Sequence, residues 1–185
     1  EPSPAFVAAA RKLLADPDPA FAAEALTLPS ESFLAEQLER VDPDALHEAR
    51  NRLRRELGAL LKDDLLSTYR GLESKSPYSP DAASAGRRAL RNLCLGYLVE
   101  AGESALAYRQ FQSADNMTDA MAALTALANA DCPEREPALA AFYERWQHEP
   151  LVVDKWLAVQ AASRLPGTLP RGRELLSHPA GDSKV

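Results

Sequence analysis

The sequence predicts an all-α protein, an irregular antiparallel helical array of the α-solenoid or superhelix kind with about ten helices. Three observations carry that expectation. Ala and Leu make up roughly a third of the 185 residues, while β-branched residues are sparse and no stretch alternates apolar with polar side chains over six positions. Pro repeatedly follows Asp or Ser, as in Ser3-Pro4, Asp18-Pro19 and Asp42-Pro43. Pro is tolerated at the first helical position and the preceding side chain caps the free amides there, so these pairs mark helix starts. Apolar residues also recur at the 3.6-residue period of an amphipathic helix.

Taken in order from cap to stop, helices are expected at 4–15, 19–27, 31–40, 43–71, 81–101, 104–114, 117–130, 135–147, 150–163 and 170–177. The first, second and fourth open on the Ser-Pro or Asp-Pro pairs. The fourth is the longest, and Leu46, Leu53, Leu57, Leu60, Leu61 and Tyr69 are assigned to one face of it. The break from Leu72 to Pro80 has the Ser, Pro and Lys of a surface loop, and the next helix starts at Asp81. Asn116 caps the seventh, with Asp119 favourably placed near its positive end. Phe142, Tyr143 and Trp146, then Val152, Val153, Trp156 and Val159, are the bulky core faces of the eighth and ninth, separated by the His148-Glu149-Pro150 turn. The other connections are short, which folds consecutive helices back on one another. No fixed repeat period and no domain boundary is visible, and a globular bundle is the second choice.

Composition excludes several classes. With Lys+Arg 21 against Asp+Glu 27 and a net charge of −6, the chain lacks the broad positive field that holds nucleic acid or anionic lipid. Cys94 and Cys132 are too few for a disulfide framework and read as reduced thiols, Cys94 as a buried apolar residue within Leu93-Cys94-Leu95. No apolar run is long enough to span a bilayer, and Glu1-Pro2-Ser3-Pro4 lacks the basic flank of a signal peptide. A soluble, cytoplasmic protein is expected, and a start at Glu rather than Met suggests a piece of a longer one.

The chemistry-bearing motifs all fall short. His47-Glu48-Ala49-Arg50-Asn51 comes near the H-E-x-x-H of helical zinc sites, but its last position is Asn, a poor zinc ligand, and His148 and His178 are far away in sequence. Cys94 has no nearby His, no Ser stands in a G-x-S-x-G turn, and the glycines form no phosphate loop. In the cluster Arg50, Arg52, Arg54 and Arg55, the first and third share one face and the second and fourth another, with Glu48 and Glu56 interleaved, which reads as a salt-laced solvated surface. Arg87, Arg88 and Arg91 form a second group; Arg87 and Arg91, one turn apart, either engage a carboxylate ligand or, more simply, bridge within the chain. The residues therefore name no catalytic group and no metal ligand.

A succession of local strings does carry a resemblance. Ala25-Leu26-Thr27-Leu28-Pro29-Ser30-Glu31, Val41-Asp42-Pro43 with Ala49-Arg50, Arg88-Ala89-Leu90-Arg91-Asn92-Leu93-Cys94-Leu95, Gln110-Phe111 through Asn116-Met117-Thr118-Asp119-Ala120, and Leu151-Val152-Val153-Asp154-Lys155-Trp156 follow one another over nearly the whole chain. In order and spacing they resemble the C-terminal helical domain of the bacterial aminopeptidase N family of gluzincin-type zinc peptidases. The resemblance implies a parent with an N-terminal β domain, a thermolysin-like catalytic domain, a small β sandwich and a C-terminal α-superhelix covering the active site. Residues 1–180 would belong to that last part, with 181–185 a divergent tail.

No position here matches the family's H-E-x-x-H, its G-A-M-E-N loop or its transition-state tyrosine, so the resemblance transfers no catalytic, substrate-binding or metal residue. It implies that zinc sits in the parent's catalytic domain and that this chain covers the active site and controls the access of peptides trimmed from their N-termini. The expected partners are the catalytic domain of the same polypeptide and, through it, peptide substrates, with no nucleic acid and no membrane. Leu169, Leu175 and Leu176 are expected on an uncovered face through which a truncated fragment either self-associates or frays locally. The alternative reading is an independent helical scaffold that binds a peptide or protein partner.

Overall fold

The computed structural model describes residues 2–179, and the 181–185 tail lies outside the described residues. Eleven helices and no strand are found among the described residues: α1 (Pro4–Leu14), α2 (Pro19–Leu26), α3 (Glu31–Glu36), α4 (Pro43–Leu60), α5 (Lys62–Gly71), α6 (Ala82–Glu100), α7 (Ser104–Ser113), α8 (Met117–Ala128), α9 (Arg135–Trp146), α10 (Pro150–Ala161) and α11 (Thr168–Leu176). The all-helical expectation holds.

The helix starts form for the reasons the sequence suggests. Ser3 Oγ accepts from the Phe6 amide at 3.2 Å, Asp18 Oδ1 from Ala20 and Phe21 at 3.0 and 3.1 Å, and Asp42 Oδ1 from Ala45 at 3.0 Å. Asp81 Oδ1 accepts from Ser84 at 2.9 Å. Asn116 makes a reciprocal cap, its Oδ1 accepting from the Asp119 amide at 2.9 Å while its Nδ2 donates to the Asp119 carboxylate at 3.0 Å.

Three elements differ from expectation. The expected helix over 43–71 is two helices broken at Leu61, which takes φ −107° and ψ 13°. No Pro or capping side chain marks this break; the acidic pair Asp63-Asp64 in the first turn of α5 is its only local trace. The same face is nonetheless kept by steps of four residues, with Leu57, Leu61, Leu65 and Tyr69 all buried. Leu60, one residue out of that phase, is 46% exposed and does not share the face assigned to it. Helix α3 stops at Glu36 instead of residue 40, because it buries none of its residues and Leu38 beyond it stays exposed, so nothing rewards another turn. Helix α11 begins at Thr168, two residues early, after Gly167 adopts φ +92°, a left-handed conformation that glycine takes without a Cβ clash.

The described chain divides into two compact units at Glu103–Ser104, a boundary that no linker-like composition announces. In the first unit α6 is the central element, packing on α2, α4 and α5, while α1 packs on α2 and α5 and α3 on α4. Two glycines permit the closest approaches. A Cβ on Gly58 would lie 2.5 Å from the Tyr97 carbonyl oxygen of α6, and one on Gly86 would lie 3.0 Å from Ala20 Cβ of α2. The buried stripe of α6 includes Leu90, Cys94, Tyr97 and Leu98.

In the second unit, consecutive helices pack on each other from α7 to α11, and α8 also meets α10. Its core includes Leu124, Leu127, Leu139, Phe142 and Trp156. The Trp156 indole donates to the Leu139 carbonyl at 2.9 Å and lies against Tyr143, ring centroids 4.7 Å apart. Buried Gln160 donates to the Trp156 carbonyl at 3.1 Å and accepts from Arg171 Nε at 3.0 Å, which ties α11 to α10. Buried Gln110 donates to the Asp119 carbonyl at 3.0 Å and ties α7 to α8. Leu175 is buried at 7% exposure, so the expected uncovered face loses its central member; Leu169 and Leu176 are exposed.

Candidate functional site

The best-organised feature of the first unit is the loop between α2 and α3, held from two directions. The Tyr97 hydroxyl on α6 donates to the Leu26 carbonyl at 2.8 Å. From α4, Arg50 donates through Nε to the Pro29 carbonyl at 2.7 Å and through Nη2 to Leu28 at 3.3 Å. A guanidinium matches two neighbouring carbonyls with its planar fork, so a loop without secondary structure acquires a fixed path. The sequence suggests neither tie: its pattern places Arg50 on a solvated surface and gives Tyr97 no role.

Beneath this loop lies an apolar pocket of about 230 Å³. Its deep wall includes buried Leu57, Leu61, Leu65 and Cys94, and its mouth includes exposed Phe6 and Pro29. Cys94 is fully buried, and burial pushes its thiol up to about 12, so it stays protonated and unreactive at neutral pH. Burial likewise raises the Tyr97 phenol, which keeps it a hydrogen-bond donor.

His47, the head of the near-zinc motif, is occupied on both ring nitrogens. Nδ1 lies 2.8 Å from Glu31 Oε1 and Nε2 lies 2.9 Å from Asn51 Nδ2. With the Asn51 amide donating, Nε2 is the acceptor and Nδ1 carries the proton toward Glu31, a tautomer assigned by its partners. The triad joins α3 to α4. Metal binding would require breaking both contacts and recruiting further ligands, and no group of three or more His, Cys, Asp or Glu suited to a metal exists among the described residues. These residues do not fit a zinc ion.

Arg52, Arg88 and Arg91 make structural contacts. Arg52 pairs with Glu56 one turn on at 2.8 Å, as a salt-laced helix surface does. Arg91 stacks on the Tyr69 ring at 4.3 Å, donates to its hydroxyl at 3.1 Å and reaches Glu73 at 3.7 Å, while Arg88 donates to the Ser79 carbonyl at 2.8 Å and covers Tyr78. Arg88 and Arg91 of the second arginine group thus bridge within the chain, Arg91 from α6 to α5 and Arg88 to the loop before α6. Among the described residues no helix is long and apolar enough to cross a membrane.

The strings that stand out in the sequence are those that fasten helices together. The segment Leu26–Glu31 contains the bonded loop and the acid facing His47; Arg88–Leu95 contains the guanidinium ties and the pocket thiol; Gln110 joins α7 to α8, and Asn116 caps α8. The roles of Tyr97 and Arg50 are not legible in the sequence reading. The Leu90, Cys94, Tyr97, Leu98 spacing was the available signal, since a phenol on a buried face must find an acceptor.

Aminopeptidase N of Escherichia coli is 41% identical over 165 residues, covering 87% of this chain and 19% of that protein. Aminopeptidase N of Caulobacter vibrioides is 42% identical over 165 residues, 88% of this chain and 19% of the relative. The chain therefore spans about a fifth of the length of these curated relatives. A crystal structure of Legionella pneumophila aminopeptidase A in complex with aspartic acid superposes with a TM-score of 0.83 at 29% identity, over 97% of this chain and 23% of the other. A family model described as a domain of unknown function with ARM repeats, DUF3458_C, matches residues 1–185, and the chain belongs to that family.

Proposed function

We propose that this chain is the access-controlling helical portion of a zinc-dependent aminopeptidase N that removes N-terminal residues from peptides in the cytoplasm. The observation that carries the reading is the extent of the match: nearly the whole chain aligns with about a fifth of aminopeptidase N from two bacteria. The helical array is the wall and the rest of the polypeptide is the reagent. Exopeptidase chemistry gains from a chamber that limits water and excludes folded chains, and a stacked helical array with rigid ties is a suitable barrier. The hydrogen-bonded loop over Arg50 and Tyr97 and the α7–α8 tie through Gln110 support a rigid role.

In this reading zinc and the water it activates belong to the catalytic domain of the same polypeptide, and the residues of this chain contribute no ligand. The test compares the polypeptide encoded by the uninterrupted reading frame with a version lacking this region. The whole polypeptide should contain H-E-x-x-H, hold one zinc per chain and hydrolyse both an amino-acid amide and short peptides, while discriminating against long ones. The shortened version should lose that length discrimination. A whole polypeptide without zinc or aminopeptidase activity, or discrimination unchanged in a shortened enzyme that still cleaves the amide, would refute the proposal.

A further inference from the structure

The geometry points to the pocket of the first unit as a binding site for one small, uncharged, apolar molecule, an aromatic or alkyl compound of about the size of naphthalene. The volume sets the size. An engineered apolar cavity of about 150 Å³ stays dry and takes up benzene, and the pocket here, at about 230 Å³, has room for a second fused ring. The pocket has a floor made of α4, α5 and α6 side chains, and its exposed rim includes Phe6, Ala9, Ala25, Thr27 and Pro29.

The walls set the chemistry. Four polar groups at the pocket are already engaged: the Tyr97 hydroxyl donates to Leu26, the Thr27 hydroxyl donates to Ala23 at 2.7 Å, and the Leu28 and Pro29 carbonyls accept from Arg50. A charged or strongly polar guest would lose its hydration without replacement, which selects against it. The protonated Cys94 thiol contributes a soft, polarizable surface suited to an aromatic face.

The framework explains why the space persists. A void of this size is unfavourable because its lining atoms lack contacts on one side, and helices free to move would close it. Here they are not free. Gly58 sets α4 against the α6 backbone, Gly86 sets α2 against α6, and the loop at the mouth is fixed by Tyr97 and Arg50. The pocket is therefore preformed, and a guest would bind without the ordering cost of building its site. This inference stands apart from the peptidase reading, since it concerns only the first unit and needs no catalytic domain.

The experiment titrates the full 185-residue chain with naphthalene and, separately, with 1-naphthoate, following the melting temperature and the methyl NMR signals of the leucines. Naphthalene should raise the melting temperature with concentration and shift the methyls of Leu57, Leu61 and Leu65, and naphthoate should bind at least about 100-fold more weakly because its charge cannot be desolvated there. Two variants fill the space from opposite sides. Ala10→Leu adds volume at a buried wall position, and Ala9→Trp plugs the pocket from an exposed wall position where folding is undemanding. Each should weaken naphthalene at least tenfold. No binding by the parent chain, equal binding of naphthoate, or full naphthalene affinity in a folded Ala9→Trp protein would each overturn the assignment.

Discussion

Replacing Trp156 by Ala tests the packing of the second unit. The side chain is 5% exposed, lies 4.7 Å from the Tyr143 ring and 5.4 Å from the His178 ring, and donates its indole N–H to the Leu139 carbonyl. Truncation removes the transfer free energy of a large aromatic and leaves a cavity between α9 and α10, a combination that costs about 3 to 5 kcal/mol. The lost hydrogen bond adds little, because Leu139 lies within α9 and its carbonyl keeps a helical partner. With a urea dependence of about 1–3 kcal/mol per molar, the unfolding midpoint should fall by at least about 1 M. Circular dichroism follows the helices, and Trp146 remains as a fluorescent reporter on α9. Arg52→Ala, which removes a side chain 63% exposed and paired with Glu56 one turn on, should leave the midpoint where it was. Equal midpoints for parent and Trp156→Ala would show that the indole is not part of the core and that the α9–α10 packing is wrong.

Three other outcomes are expected. Gly58→Ala should destabilise by about 1 to 3 kcal/mol, because the new methyl meets the α6 backbone, whereas Gly96→Ala, with open space around its Cβ, should stabilise by about 0.5 to 1 kcal/mol through helix propensity; denaturant midpoints of the same sign would contradict the close approach. Cys132 should be alkylated first at pH 8 and Cys94 only once denaturant opens the chain, as burial of Cys94 predicts, and mass mapping of the labelled peptides reads the order. Asp81, held well below the usual carboxylate range by the Ser79 hydroxyl and then the Ser84 amide, should keep capping α6 as the pH falls past the ordinary Asp value; because its folded pKa is depressed, its contribution is complete above that value and disappears only as the pH drops through the lowered one. A Ser84 amide shift that titrates near pH 4, as an ordinary aspartate does, would refute that reading.

What the sequence reveals depends on how local the cause is. Ser3, Asp18, Asp42, Asp81 and Asn116 cap helices through amides three residues away or nearer, so each start could be read directly. The break at Leu61 could not, since a buried leucine in a bridge conformation carries no punctuation of its own. The end of α3 depended on Leu38 finding no partner, and the burial of Leu175 on finding one, both facts of tertiary packing. The same distinction applies to the site. Cys94 between two leucines announced burial, and Asn51 announced a poor metal ligand. The Arg50 ties cross more than twenty residues to reach carbonyls of an irregular loop, and the pocket is the space left where several helix faces meet. No periodicity encodes either.

The most direct test of the central claim, that this helical chain serves a peptidase without holding its chemistry, is zinc content and amino-acid-amide hydrolysis measured together on the chain after dialysis. The account predicts no stoichiometric zinc and no hydrolysis, because both nitrogens of His47 are engaged by Glu31 and Asn51 and no group of three or more His, Cys, Asp or Glu suited to a metal exists among the described residues. One zinc per chain that disappears in His47→Ala together with hydrolytic activity would contradict it.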